Sequence, residues 1–253
     1  MPTITRRNFG RGHAYYIDGN KVPGVTTILG ATMPKPALVG WAANTTAGYA
    51  VDHWDELAQL PLSKRLDRLQ RSRYEDLDAA SGRGTEVHML AEKHMAGHEV
   101  LVPDELEGHF RSYEQFLADW HPEPVAIEAV VAHRTLGYCG TGDVIADLAD
   151  GHRWFLDYKT SRSGIFPETA LQLAAYRRAE SYVGQDGEEH DLAELGIERA
   201  GALHLRADGY SLQPVEDSER VWDYFRHLCW LYRRAEQLQE WIGSDLAPVR
   251  VAS

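Results

Sequence analysis

The chain has 253 residues, enough for one large domain or two small ones with a substantial core. Its 43% hydrophobic and 25% charged content is that of an ordinary globular protein, and its formal net charge of −12 argues against coating nucleic acid by general electrostatics. Local basic grooves and metal-mediated phosphate contacts are not excluded. No apolar run approaches the roughly 20 residues of a membrane span. The amino-terminal MPTITRRNFGRGH lacks the apolar core of a signal peptide, so the expectation is a cytoplasmic protein with no membrane partner. Cys139 and Cys229 supply neither a disulfide framework nor the four thiolates of a typical iron–sulfur cluster, and read as reduced, packed thiols.

In chain order, residues 13–29 predict a hairpin turning at Asp18-Gly19-Asn20, a tight Pro23-Gly24 turn, and a short helix capped by Thr26 or Thr27. Pro34 and Pro36 precede a helix from near Ala37, with Leu38 and Trp41 facing inward. From residue 62 to 77 the pattern is helical through Leu62, Leu66 and Leu69. Lys64, Arg65, Arg68, Arg71 and Arg73 fall mostly elsewhere around that helix, as either a solvated face or a phosphate-tracking one. Ser81-Gly82-Arg83-Gly84-Thr85 reads as the start of a second helix that ends at Gly97. On it, His88 and Glu92 share a face; a lone helical histidine is more often a packing residue, yet imidazole is a common metal ligand.

An amphipathic helix over 103–120 carries Leu106, Phe110, Tyr113, Phe116, Leu117 and Trp120 as its core stripe. The strand from Val125 to His133 follows, with Glu128, Val130 and Ala132 alternating with Ile127, Ala129 and Val131. Edge solvation and function explain Glu128 equally well.

Residues 140–176 contain two aspartates, a lysine, a glutamine and a tyrosine at spacings that packing alone does not require. In an extended strand Asp157 and Lys159 share a face while Tyr158 points away. A three-residue loop at Ala149-Asp150-Gly151 pairs Leu148 with His152 and hence Asp143 with Asp157, on one face of the sheet. Two facing carboxylates repel unless a cation lies between them. A two-residue loop at Asp150-Gly151 instead pairs Asp143 with Tyr158 and separates the aspartates. A helix from Glu168 to Val183 places Gln172 and Tyr176 on one face, with Leu171, Leu173 and Ala174 toward the sheet. An acidic, turn-rich stretch over 184–198, a hairpin turning at Asp208-Gly209, and a long helix from Asp217 to Ile242 complete the chain. That last helix packs through Val221, Trp222, Phe225, Leu228, Cys229, Leu231 and Tyr232.

Taken together, Gly84-Thr-Glu-Val-His88, Gly140-Thr-Gly-Asp143, Asp157-Tyr-Lys159 and the Gln172/Tyr176 pair resemble the PD-(D/E)xK nuclease superfamily, in its RecB-like and phage-exonuclease branch. The PGVTTIL segment and Trp41 resemble the opening of phage-encoded members. The resemblance covers about Pro23 to Tyr176 and implies an α/β fold with a restriction-endonuclease-like core: a central mixed β-sheet flanked by helices, an N-terminal hairpin and a long C-terminal helix. One domain is expected over 1–253, with the catalytic core at 81–183. The resemblance implies a metal-dependent DNA exonuclease of phage-type recombination, repair or replication. His88, Asp143, Asp157 and the Tyr158 carbonyl would hold one or two Mg²⁺ or Mn²⁺ ions, without an iron–sulfur cluster. Lys159 would orient water or stabilise the phosphate, Gln172 and Tyr176 would position water or backbone, and Glu128 is a less secure catalytic acid. Lys64, Arg65, Arg68 and Arg71 would touch DNA. The implied partners are linear duplex or single-stranded DNA ends, a homo-oligomer or a recombination protein. Two competing readings share the residues: a catalytically silent DNA- or partner-binding protein, and a restriction-type endonuclease.

Overall fold

Three short strands, β1 (Ile4–Phe9), β2 (Gly12–Ile17) and β3 (Asn20–Val22), form an antiparallel sheet in that order. Only β1 lacks a counterpart in the sequence expectation. Ile17 pairs with Asn20, so Asp18 and Gly19 alone make the turn, both with positive φ (49° and 79°), as a two-residue hairpin demands. Ile4, Tyr15 and Ile17 pack onto Ala132 and Cys139 of the larger sheet. The computed structural model describes residues 4–10 and 12–244, and within them the side chains of all but Ala37, residues 75–81, Glu236 and Gln239. The expectations for the ends of the chain and for the Leu77 and Ser81 side chains fall outside the described residues.

α1 (Val25–Thr32) starts at Gly24 without a side-chain cap, so neither Thr26 nor Thr27 has that role. α2 (Pro36–Asp52) begins on proline, whose missing N–H costs nothing in a first turn. Leu38 on it is 45% exposed and faces outward, against expectation. α3 (Trp54–Gln59) leads to α4 (Leu62–Met95), a single 34-residue helix where two were expected. Glycines at 82 and 84 cost about 1 kcal/mol each inside a helix and do not break it. Gly84 has a packing reason, because a Cβ there would stand 3.0 Å from Thr160 Oγ1. Gly97, with φ of 83°, ends the helix as expected, and His98 N–H reaches back to the Lys93 carbonyl. α5 (Glu107–Trp120) buries Phe110, Tyr113 and Phe116.

The central sheet has seven strands: β4 (Glu123–His133), β5 (Tyr138–Asp147), β6 (Arg153–Lys159), β7 (Ser181–Val183), β8 (Glu189–Asp191), β9 (Arg199–Arg206) and β10 (Gly209–Pro214). Their order is β10-β9-β6-β5-β4-β7-β8, antiparallel throughout except β6 with β9. α6 (Glu168–Arg177) packs on one face with α1 and α7 (Glu219–Arg234), while α5 and the later part of α4 cover the other. The fold is therefore mixed α/β, a seven-stranded mixed sheet flanked by helices with an N-terminal antiparallel sheet and a C-terminal helix. Two expected helices are shorter. The end of the first is β7, which adds to β4. The second gives way to a 3₁₀ segment over Glu236–Trp241, and Leu231 is 40% exposed. Among the described residues no helix is long and apolar enough to cross a membrane.

The β5–β6 hairpin follows the three-residue register. Leu148 N–H bonds to the His152 carbonyl at 3.1 Å, Gly151 has φ of 80°, and Asp147 pairs with Arg153. The ladder continues to Val144 and Leu156 and stops one residue short of Asp143 and Asp157.

Alternation slips where it stops. Ala129 pairs with Gly142 and Ile127 with Val144. Regular strands would keep these two pairs on one face. Yet Ala129 joins the α6 side of the core, whereas Ile127 and Val144 join the α4 side. Glu128, between them with φ of 50°, makes the reversal on β4. The two strands slip together, so register survives while facing changes.

Gly140 and Gly142 carry aromatic rings in place of side chains. A Cβ at Gly140 would lie 2.2 Å from the Tyr176 ring, and one at Gly142 would lie 2.1 Å from Phe155. These are overpacking sites, so Gly140→Ala and Gly142→Ala are each expected to lose about 1–3 kcal/mol, read as an earlier urea midpoint. A midpoint equal to wild type would show that the rings do not press on the strand.

Candidate functional site

Four elements converge where β5 and β6 part. α4 supplies His88, whose Nδ1 lies 2.9 Å from Asp143 Oδ1. The other Asp143 oxygen accepts the Tyr158 amide hydrogen at 2.5 Å, so this carboxylate sits where a strand partner would otherwise be. Asp157 leans to the opposite layer, accepting at Oδ1 from Gln172 Nε2 of α6 at 2.8 Å. Gln172 Nε2 also donates to Tyr176 Oη (3.1 Å), and its Oε1 accepts from Lys159 Nζ (3.1 Å). Gln172 thus ties Asp157, Lys159 and Tyr176 together. Tyr176 itself is buried under Gly140, away from solvent. The Tyr158 ring is buried on the α4 side and meets His88 edge-on at 5.8 Å, which helps set the imidazole plane.

The register expectation was thus correct and its facing corollary was not. Asp143 and Asp157 do not stand side by side on one face; one is bonded toward α4, the other toward α6. They still feel each other's charge.

Burial would raise the Asp143 pKa, but His88, the Tyr158 amide and Lys159 outweigh it and hold the carboxyl below its ordinary range. For Asp157 burial wins, helped by the Asp143 charge, and its pKa is raised despite Lys159. Lys159 Nζ stands 2.5 Å from Asp157 Oδ2, yet off the hydrogen-bonding direction, and that buried oxygen has no hydrogen bond. The cation beside that oxygen is the Lys159 ammonium itself, which a metal ion there would have to share or displace.

Glu128 faces the same region and is ion-paired with Arg6 of β1, Nη1 to Oε2 at 2.9 Å. Its pKa is raised by burial first, then by Asp143 and, further off, Glu92. A second tie, Tyr15 Oη with Thr141 Oγ1 at 2.9 Å, holds the N-terminal sheet over β5. Nothing in the sequence of β1 singles out Arg6, because its partner is 122 residues away.

The donor set of His88, Asp143, Asp157 and the Tyr158 carbonyl has the chemistry for a divalent ion. It is not a ready-made cage: among the described residues no three His, Cys, Asp or Glu side chains are arranged to hold one. His88 Nδ1 is occupied by Asp143.

The basic residues of early α4 lie elsewhere. At 1.5 Å per residue, Arg71 and Lys64 are roughly 25 and 36 Å along the helix from His88. Arg65 donates to the carbonyls of Leu57, Ala58 and Leu60, stapling the end of α3. Arg68 bonds to Tyr49 Oη and Arg71 pairs with Asp67. Missing from the sequence reading were Arg6 and a second basic group, Arg83 and Arg162, which flank His88 and Lys159 in sequence.

No family model matches the sequence, and no curated protein sequence matches it. Among solved structures the chain is similar to an alkaline exonuclease from Laribacter hongkongensis, with 12% identity and a TM-score of 0.34 over 61% of this chain and 85% of that one. It is also similar to a structure described as SSO0001, at 12% identity and a TM-score of 0.31 over 52% of this chain and 57% of that one.

His88 gives the site a pH signature. Burial alone would lower its pKa, but the Asp143 charge and hydrogen bond push it up to about 9, above the ordinary 6.5. A raised folded-state pKa contributes stability that is complete below the unfolded value and lost as pH climbs through the folded one. In metal-free protein, the stability advantage of wild type over His88→Gln should therefore shrink between pH 7 and 10. Urea unfolding reads it, and an advantage that stays constant across that window would contradict the ion pair.

Proposed function

We propose that this chain is a metal-dependent nuclease of the PD-(D/E)xK type that hydrolyses DNA phosphodiester bonds from an end, in phage-type recombination, repair or replication. The observation that carries the reading is the convergence of His88, Asp143, Asp157 and Lys159 at the parting of β5 and β6.

Asp143, Asp157 and the Tyr158 carbonyl would hold Mg²⁺ or Mn²⁺, with His88 joining by releasing its hydrogen bond to Asp143. A bound ion supplies a lowered water pKa and neutralisation of phosphate charge. The protein's own groups do the rest. Lys159, held by Gln172, stands beside the reacting phosphate as a compact cation and stabilises the charge that develops there. Gln172 is a positioning residue for both Asp157 and Lys159. Tyr176 acts through Gln172 and through packing beneath Gly140, since it is buried. Glu128, neutralised by Arg6, balances charge at the rim of the acids.

A second reading, a catalytically silent DNA-binding protein on the same fold, is favoured by the closed His88–Asp143 pair. One experiment separates them: incubation of linear and closed-circular DNA with Mg²⁺ or Mn²⁺ and wild type, Asp157→Ala or Lys159→Ala. The nuclease reading predicts degradation of linear DNA by wild type, none by Asp157→Ala, and a rate reduced by about 10²–10³ in Lys159→Ala. Equal products from wild type and Asp157→Ala would remove the assigned site, and cutting of closed circles would remove the end requirement.

A further inference from the structure

Arg83 on α4 and Arg162 in the segment after β6 sit on either side of one close contact. Gly84 and Thr160 approach so nearly that a Cβ on the glycine would stand 3.0 Å from the threonine hydroxyl. Arg83 is the residue before Gly84, and Arg162 comes two after Thr160. Ser161 is pinned from the other side, its carbonyl 2.8 Å from His204 Nε2. Lys159 lies immediately before this segment, so the two arginines extend the cationic side of the site already described.

His109, near the start of α5, completes the group. α5 is held there by Gly108, whose absent side chain leaves room for the Ala207 carbonyl, and by Ser112 Oγ bonding to the Arg206 carbonyl at 2.6 Å. The imidazole feels both arginines: burial first, then Arg83 and Arg162, lower its pKa. Its Nδ1 is buried with no hydrogen bond.

The arginines are also unbalanced. With 38 acidic residues against 26 basic ones, a cation in this chain has acids in excess to choose from. Arg134, Arg153, Arg177 and Arg199 each pair with a carboxylate. Arg83 and Arg162 pair with none among the described residues. Two arginines brought together beside Lys159 by the Gly84–Thr160 contact, neither with a carboxylate partner among the described residues, suit an anion from outside.

We propose that Arg83 and Arg162, brought together by the Gly84–Thr160 contact beside Lys159, bind a DNA backbone phosphate adjacent to the one that is cut. The proposal rests on the nuclease reading for the identity of the site, and it moves the principal DNA contact from early α4 to the rim of the parted strands. Arginine suits the task, because its guanidinium fork matches phosphate oxygens bidentately. The contact is to backbone and is therefore insensitive to base sequence.

The test is anisotropy of a fluorescein-labelled DNA duplex in EDTA, where no cleavage occurs, across a salt series. Arg83→Ala and Arg162→Ala should each weaken binding about tenfold regardless of sequence, and the double variant, which loses the one phosphate contact, should reduce the slope of log K against log salt by about one. Arg83→Lys and Arg162→Lys, which keep the charge but not the fork, should bind more tightly than the alanine variants and less tightly than wild type, and keep the wild-type salt slope, which separates charge loss from misfolding. Replacing the phosphate next to the scissile one with a neutral methylphosphonate should weaken wild type equally, and the double variant no further. Affinity and slope unchanged in the double variant would overturn the proposal, as would a methylphosphonate effect that adds in full to that of the variants. The two readings fail separately. Wild type that binds DNA through these arginines but never cleaves it would leave the phosphate site standing without the nuclease. Cleavage that needs Asp157 but ignores Arg83 and Arg162 would do the reverse.

Discussion

Where β5 and β6 separate beyond Val144 and Leu156, each strand loses a neighbour, and an unpaired buried backbone group is costly. Asp143 meets that need with a side chain: one carboxylate oxygen takes the Tyr158 amide and the other reaches His88 on a helix in the covering layer. A single residue therefore keeps the strands apart at a fixed distance, anchors α4 over the sheet, and leaves a charged opening at the end of the core. Replacing it with an apolar residue would strand the amide and the imidazole together, which is why the rest of the site depends on it.

Charge balance around that opening is arranged by parts of the chain far apart in sequence. Asp157 answers to Lys159 two residues away, but Glu128 answers to Arg6 at the other end of the protein. Glu128 also holds a left-handed backbone conformation, a state that costs a non-glycine residue of order 1–2 kcal/mol and tends to cluster at functional sites. That strain produces the slip in alternation by which Asp143 turns toward His88 while Asp157, directly across, turns toward Gln172. The N-terminal sheet is then part of the site's support, docked by Tyr15 on Thr141 and by Arg6 on Glu128.

Much of this was legible in the sequence because it rests on local rules. Turn chemistry at Ala149-Asp150-Gly151 sets the hairpin register as far as Val144 and Leu156, but parity fails beyond, where the two aspartates turn to opposite layers. Helical spacing puts Gln172 above Tyr176, and both prove to be linked. What the sequence did not disclose depends on distant partners. Glu128 breaks its strand's alternation because of its backbone conformation beside Arg6. The glycines at 82 and 84, normally punctuation, lie inside α4; Gly84 leaves space for Thr160, while a Cβ at Gly82 would stand in the open. Ser181–Val183 leaves a helical pattern to pair with β4. The early basic face of α4 misled by composition, since Arg65 staples a helix end and the cations beside the acids are Lys159 and the distant Arg6.

The proposed nuclease reading requires Asp143 and Asp157 to take a divalent ion between them, and calorimetric titration with Mn²⁺ in the absence of DNA tests it most directly. Wild type should bind Mn²⁺ and gain melting temperature with its concentration, as a ligand of the folded state must. Asp143→Asn and Asp157→Asn should lose both effects, while Lys159→Ala keeps them. Wild type that takes up no Mn²⁺, or aspartate variants that bind it as well as wild type, would contradict the account.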